Sequence, residues 1–317
     1  MQLSEKINRL KQEIGKVIIG KDAEVELMAI SLLFNGHILL ESVPGTGKTM
    51  LAKSFATAIG GKFSRIQFTP DVLPSDITGI QFFNPKIQEF ELRPGPILAN
   101  IVLADEINRA TPRTQSSLLE VMEERQVTID GITLPLQMPF MVIATQNPVE
   151  SQQGTFPLPA AQMDRFFMKL KVDYPSYEDE RKMLQIQRGK RSYDKEVTQV
   201  FSTEDFEQLK TAVFDTQISE DIEAFLLSIV RETRNHHDIE LGISPRGTLA
   251  LMRASQGKAF LSGRSFVIPD DVKFVAPFVL GHRIHLSIEG SLTKTPEEVI
   301  AEIVDLIDVP VEAGANG

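Results

Sequence analysis

The chain of 317 residues contains no cysteine. That single absence excludes disulfides, thiolate metal sites and cysteine nucleophiles. With no redox signal, a cytoplasmic location is the simplest expectation. Long apolar runs are also missing. None approaches the ~18 residues of a membrane span, so no membrane insertion is expected. The stretch from Met1 to Gly15 is charged and periodic, unlike a secretory leader. A basic surplus is missing as well, because the net charge is −10. Residues 1–172 hold 17 basic and 18 acidic side chains, whereas residues 173–317 hold 16 and 25. The acidic excess thus lies in the C-terminal part. Attraction of the whole molecule to nucleic acid is disfavoured, which leaves only a local basic groove for that role. At 42% hydrophobic and 24% charged residues, the chain can bury two sizeable cores without staples.

What is present alternates in period. Helical spacing links Ile7, Leu10 and Ile14, then Val25, Met28, Leu32 and Leu33. Apolar strand patterns occupy Gly36 to Leu40, Phe63 to Phe68, Ile101 to Ala104, Phe140 to Ala144 and Phe166 to Val172, with helix patterns at Met50 to Ile59 and Thr114 to Glu124. Near-continuous apolar strands are those covered on both faces. The expectation is an α/β domain with a mostly parallel sheet. Two segments interrupt it. Residues 79–97, rich in Phe, Pro and Gly, keep neither period for long. Residues 127–136 read as a hairpin about Asp130-Gly131. Beyond Tyr174-Pro175-Ser176 the pattern is helical throughout, with Ser176 a candidate N-cap. The expected domains are therefore 1–173 and 174–317.

The sharpest motif is Ser42-Val43-Pro44-Gly45-Thr46-Gly47-Lys48-Thr49, between a strand and a helix. Gly45 and Gly47 let the backbone curl so that its N–H groups converge on phosphate oxygens, and the helix start adds its positive dipole end. Lys48 can reach the β- and γ-phosphates of ATP, and the Thr49 hydroxyl can sit on Mg²⁺. Pro44 to Met50 are the candidate nucleotide contacts. Ser42 stands where such loops usually begin with glycine. A second signal is the strand Ile101 to Ala104, which delivers Asp105 and Glu106 to its C-terminal end, where ligands of parallel sheets bind. Asp105 would hold Mg²⁺ through water, and Glu106 would orient or deprotonate the attacking water. A third is Ala144-Thr145-Gln146-Asn147-Pro148, again at a strand end. Asn147 there either positions the lytic water or simply ends the strand before proline.

These segments resemble the MoxR family of AAA+ ATPases. The likeness continues through Phe68 to Gly79, Arg93 to Ile97, Leu103 to Ala110, Gln115 to Val127, Leu158 to Phe166 and Ser244 to Gly247. It implies a P-loop AAA+ αβα core with a parallel five-stranded sheet, plus an all-helical lid. Lys48 and Thr49 match Walker A, Asp105 and Glu106 Walker B, and Asn147 sensor 1. Arg165 matches the arginine finger that completes a neighbouring subunit's site. Arg246 matches sensor 2, acting in the same subunit or a neighbour. Val17, Ile18 and Gly20 fall in the strip that lies against adenine, residues 79–97 match a helix-2 insert, and 127–136 the hairpin before sensor 1. The family implies a homo-hexameric ring with chaperone-like action on a client or adaptor protein. That partner often carries a von Willebrand factor A domain, and the task is metal insertion or complex assembly. Rival expectations are a nucleotide-dependent scaffold with little turnover, a nucleic-acid translocase and a metal-chelatase-type subunit.

Two further groups stand out. His282 and His285, spaced i, i+3 at a helix end, are either a partial metal site or a histidine meeting the helix dipole. Glu120, Glu123, Glu124 and Arg125 read as a solvated or subunit-facing charge run.

Overall fold

In a computed structural model, residues 3–147, 154–188 and 196–309 are described. Pro148 lies outside them. The strands are β1 (Ile38–Ser42), β2 (Phe63–Gln67), β3 (Gly79–Asn84), β4 (Glu89–Pro94), β5 (Ile101–Asp105), β6 (Gln126–Ile129), β7 (Ile132–Pro135), β8 (Met141–Gln146), β9 (Met168–Val172), β10 (Ile239–Leu241) and β11 (His285–Leu286). The helices are α1 (Leu3–Gly15), α2 (Asp22–Leu33), α3 (Lys48–Ala58), α4 (Pro74–Thr78), α5 (Pro112–Glu124), α6 (Ala160–Met163), α7 (Tyr177–Arg188), α8 (Thr203–Ala212), α9 (Glu220–Asn235), α10 (Pro245–Leu261), α11 (Pro269–Leu280), α12 (Ile288–Ser291) and α13 (Pro296–Leu306).

The main sheet has five strands in the order β2-β5-β8-β1-β9, and every pairing in it is parallel rather than mostly so. β5 and β8 are apolar and buried almost throughout, because helices cover both faces. The order matters more than the strand count. β8 pairs with β1 through Ile38 opposite Ile143 and with β5 through Ala104 opposite Ala144. The C-terminal ends of β1, β8 and β5 therefore lie side by side.

The 79–97 segment is not irregular. It is an antiparallel hairpin pairing Gly79 with Pro94 and Asn84 with Glu89. Its residues are half-buried or exposed on both faces, so no period-2 burial pattern marks it. The second hairpin turns at Asp130 and Gly131, with φ of 47° and 87°, as a tight two-residue turn requires. The two hairpins touch: the Gln81 N–H donates to Asp130 Oδ2 at 3.1 Å.

The helical region beyond residue 174 begins as the sequence suggests, with the Asp179 N–H donating to Ser176 Oγ at 3.2 Å. The apolar core does not stop at that boundary, however. One buried cluster runs from Leu10, Met28 and Ile38 to Leu251, Val275 and Ile300. Glu26 on α2 accepts from Lys11 on α1 and Lys258 on α10, tying the N-terminal helix pair to the lid. Burial works to raise the Glu26 carboxyl, but its bonds to the two lysines outweigh burial and hold it below the ordinary range. A lowered carboxylate adds stability above its unfolded value of about 4.5, and loses that contribution as pH falls through the folded value. Glu26→Gln is therefore expected to cost about 1–2 kcal/mol at pH 7. In urea unfolding, the gap to the parent protein should narrow as pH falls below about 4.5 and through the lowered folded value.

Candidate functional site

The loop after β1 opens α3. Gly45 and Gly47 both have φ of 83°, a left-handed conformation that side chains with a Cβ resist. A Cβ built on either glycine would meet nothing within 4 Å, so the concave side of the loop is open space. Gly47 caps α3, and its carbonyl accepts the first helical bond from the Leu51 N–H at 2.9 Å. The hydroxyl of Thr46 donates back to the Val43 carbonyl at 3.2 Å, which steadies the curl. Ser42 Oγ, at the root of the loop, is buried with no hydrogen-bond partner.

A cavity of about 660 Å³ lies above these strand ends. Pro44 to Met50 line it, together with Lys53, Arg65, Gln67, Asp105, Glu106 and Asn147. The fold thus brings together ten of the expected binding and catalytic residues, Pro44 to Met50 with Asp105, Glu106 and Asn147, from three neighbouring strand ends. Val17, Ile18 and Gly20 do not line it. Gly20 instead lies against Asp179 at the start of α7.

The acid pair is held by groups that sequence reasoning missed. Thr145 on β8 donates its hydroxyl to Asp105 Oδ1 at 2.6 Å and accepts from the Glu106 N–H at 2.9 Å. That second bond fits the left-handed φ of 58° at Glu106, which bends the chain sharply after β5. The edge strand β2 contributes Arg65 and Gln67 from one face. Arg65 donates to Asp105 Oδ2 through Nη2 at 2.6 Å and Nε at 3.2 Å. Gln67 donates to Glu106 Oε2 at 2.8 Å, and Arg109 reaches the same oxygen at 3.1 Å. The alternation of β2 was the available signal: Arg65 and Gln67 share one face, and Gln67 is in register with Asp105.

The expected arginines are elsewhere. Arg165 and Arg246 line a second cavity of about 340 Å³, whose walls include His37 and Phe167. Those residues precede β1 and β9, so this cavity is at the opposite edge of the sheet. Five arginines (Arg125, Arg165, Arg246, Arg253 and Arg283) face only Glu123 and Asp164 there. Arg165 is not a freely solvated arginine. Its Nε lies 3.3 Å from Glu123 Oε2, and its Nη1 donates to the Leu119 carbonyl at 3.0 Å. Arg246 Nη2 donates to the other Glu123 oxygen at 3.0 Å. Glu123 is thus a shared anchor for two arginines within an exposed charge run. Arg283 is buried on Asp164 at 2.8 Å and on the carbonyl of Phe166 at 2.6 Å. Burial pulls its pKa down to about 10 despite Asp164.

Among the described residues, His282 and His285 make no metal site with each other. His282 is buried and its Nε2 meets the Phe166 carbonyl at 3.0 Å. Desolvation holds its pKa well below the usual value, whereas His285 is exposed on β11. His37 is likewise buried, pushed down to about 4 by desolvation, and bridges the Met122 carbonyl and the Val142 N–H. Among the described residues, His236, His237 and Asp238 form one group whose ligand atoms could meet a cation. The Lys294 ammonium already sits 3.1 Å from Asp238, which opposes one. No helix among the described residues is long and apolar enough to cross a membrane.

Fold and site together define a P-loop ATPase of the AAA+ class with a helical lid. The model of the ATPase family associated with various cellular activities matches residues 37–168, and an AAA lid model matches residues 231–303. The chain belongs to the MoxR family. It is 41% identical to Chaperone MoxR1 of Mycobacterium tuberculosis, over 94% of this chain and 81% of that one. It is 31% identical to Protein MoxR of Methylorubrum extorquens, over 88% and 87%. A Bacillus subtilis protein of no stated function, YeaC, is 48% identical over 98% and 96%. Among solved structures, a "putative ATPase" from Cytophaga hutchinsonii superposes with a TM-score of 0.89 at 37% identity, covering 98% and 96%.

The loop geometry makes a direct prediction. Gly47→Ala forces a Cβ into the left-handed region at the mouth of α3, at a cost of about 1–2 kcal/mol. Nucleotide affinity, read by a fluorescent ATP analogue, should fall at least about tenfold, while far-UV circular dichroism stays that of the parent protein.

Proposed function

We propose that the chain hydrolyses ATP to ADP and phosphate in the 660 Å³ cavity, as part of a homo-oligomeric ring, and uses the cycle to remodel a client protein. One observation supports this above all: the glycine loop, the acid pair and Asn147 converge on one cavity although they are about 100 residues apart in sequence. Backbone N–H groups of the loop and the start of α3 take the phosphates, and Lys48 neutralises their terminal charge. Thr49 and Asp105 offer hard oxygen donors of the kind Mg²⁺ prefers, on an open cradle, and therefore fit that ion. When bound, Mg²⁺ would neutralise charge on the β- and γ-phosphate oxygens. Water, held by Glu106 and Asn147, attacks the γ-phosphorus in line. The new P–O bond replaces the bond to the β-phosphate oxygen, and the Glu106 carboxylate takes the proton.

Gln67 and Arg109 both hold Glu106 Oε2, so the carboxylate would act through Oε1 or shed these donors first. That double engagement favours a second reading, a nucleotide-dependent scaffold with little turnover. Glu106→Gln separates the two. A remodelling ATPase should keep its ATP, slow at least about 100-fold and lose its effect on a client, whereas a scaffold should keep that effect.

Arg165 and Arg246 lie at the sheet edge away from their own loop, which is why we assign them to the nucleotide of a neighbouring subunit in a hexamer. An arginine on the transferring phosphoryl group contributes about 10³–10⁵ in rate. The aromatic hairpin with exposed Phe83 and Phe90 offers an apolar client contact. A client or adaptor with a von Willebrand factor A domain, and a role in metal insertion or complex assembly in the cytoplasm, complete the proposal. Only the chaperone-like action extends to this chain what the name Chaperone MoxR1 says of that relative. Action in trans predicts complementation. Lys48→Ala subunits bind no ATP and Arg165→Ala subunits lack the finger, so each alone should be inactive. Mixed in equal amounts, they should regain phosphate release. Mixtures as inert as either parent would rule out action in trans.

A further inference from the structure

Arg65 takes no part in the hydrolysis step, yet it makes the closest contact to Asp105 on the side left open by Thr145. Two of its N–H groups point at the same oxygen, Asp105 Oδ2, at 2.6 and 3.2 Å. The other oxygen is taken by Thr145. The Asp105 carboxylate is nearly buried, with its side chain 10% exposed, while Arg65 is 46% exposed. A carboxylate oxygen that already accepts two charge-assisted bonds has little left for a divalent ion or its water shell, and a guanidinium at that distance repels a second cation. Because half of Arg65 is in water and its stem is long, it can swing away without disturbing the core.

The same guanidinium is wired to the catalytic carboxylate. Arg65 Nη2 also donates to Gln67 Oε1 at 2.6 Å, and the Gln67 amide then has its Nε2 directed to Glu106 Oε2 at 2.8 Å. Arg65 therefore fixes which way the Gln67 amide faces. Asp105, Arg65, Gln67 and Glu106 form one continuous chain of bonds across the two edge-most strands.

We propose that Arg65 is a positioning residue that occupies Oδ2 of Asp105 until a divalent cation arrives with the nucleotide. Resting Asp105 is neutralised by the protein's own cation. Arg65 would have to leave Asp105 Oδ2 for a divalent cation to use that oxygen. This rests on the reading of Asp105 as the carboxylate that faces Mg²⁺.

The test compares the dissociation constant of a fluorescent ATP analogue in EDTA with that in saturating Mg²⁺, a ratio that needs no turnover. In Arg65→Gln, the metal-dependent gain in affinity should rise about three- to tenfold, and this rise should exceed any change in the metal-free constant. Arg65→Lys, which restores a cation without the fork, should lie between that variant and the parent. The Lys variant decides the matter if Arg65→Gln fails to fold. A gain that is unchanged or smaller overturns the proposal. So does a variant whose metal-free affinity alone collapses, since Arg65 would then be a phosphate ligand. If the parent protein shows no metal-dependent uptake at all, the ATPase reading falls and this inference with it. If the parent shows the uptake but the variants do not differ from it, only the inference falls.

Discussion

The placement of β8 between β1 and β5 is the constraint on which the site depends. Parallel strands cannot be neighbours in sequence without a crossover, so the chain must visit β1, leave for β2 and β5, and return to fill the gap. The order β2-β5-β8-β1-β9 leaves the loop after β1 and the acid pair after β5 separated by one strand width. Asn147, at the end of that intervening strand, falls between them. Thr145, two residues earlier, uses one hydroxyl to hold both Asp105 and Glu106. Were β1 and β5 paired directly, there would be no strand to supply either group.

The loop, the acid pair and the strand cores were legible in the sequence because each obeys a strong local rule. Buried parallel strands read as apolar runs, and a glycine loop that leads from a strand into a helix and closes on Lys-Thr is the pattern of a phosphate cradle. The β3–β4 hairpin escaped because it decorates the sheet instead of packing within it, and exposure on both faces erases the alternation by which strands are recognised. Arg65 and Gln67 escaped for a different reason. Their importance lies in the neighbour across the ladder, and register between β2 and β5 is not written in either strand alone. Glu123 escaped likewise. A glutamate in a charged helix end reads as solvated until two arginines distant in sequence, Arg165 and Arg246, meet it.

The molecule separates charge between the two ends of one sheet. At the C-terminal ends of the strands, Asp105 and Glu106 are covered by cationic or amide donors, and open backbone N–H groups wait on the loop. At the other edge, five arginines surround two carboxylates. A cluster so imbalanced is costly in an isolated subunit, and Glu123 offsets part of that cost by accepting from Arg165 and Arg246 on its two oxygens. A polyanion offers the same pair of arginines more oxygens and more charge. In the ring proposed above, this is the surface that would meet the phosphate end of another copy.

The lid is attached to that same edge, which gives the separation a mechanical meaning. Arg283, at the end of α11, binds Asp164 and the carbonyls of Phe166 and Phe167, immediately around Arg165. Arg246 opens α10 of the lid, and Ser244 at its cap lies 3.4 Å from Asp164. A movement of the lid therefore reaches both arginines that share Glu123. Because packed interfaces hold discrete arrangements and resist small continuous distortions, a shift of the lid in one subunit would reposition both arginines together. The arginine edge and the lid then act as one rigid part, distinct from the strand ends that hold the nucleotide. In the proposed ring, such a division would let the state of one site be felt at the next without any change inside the sheet.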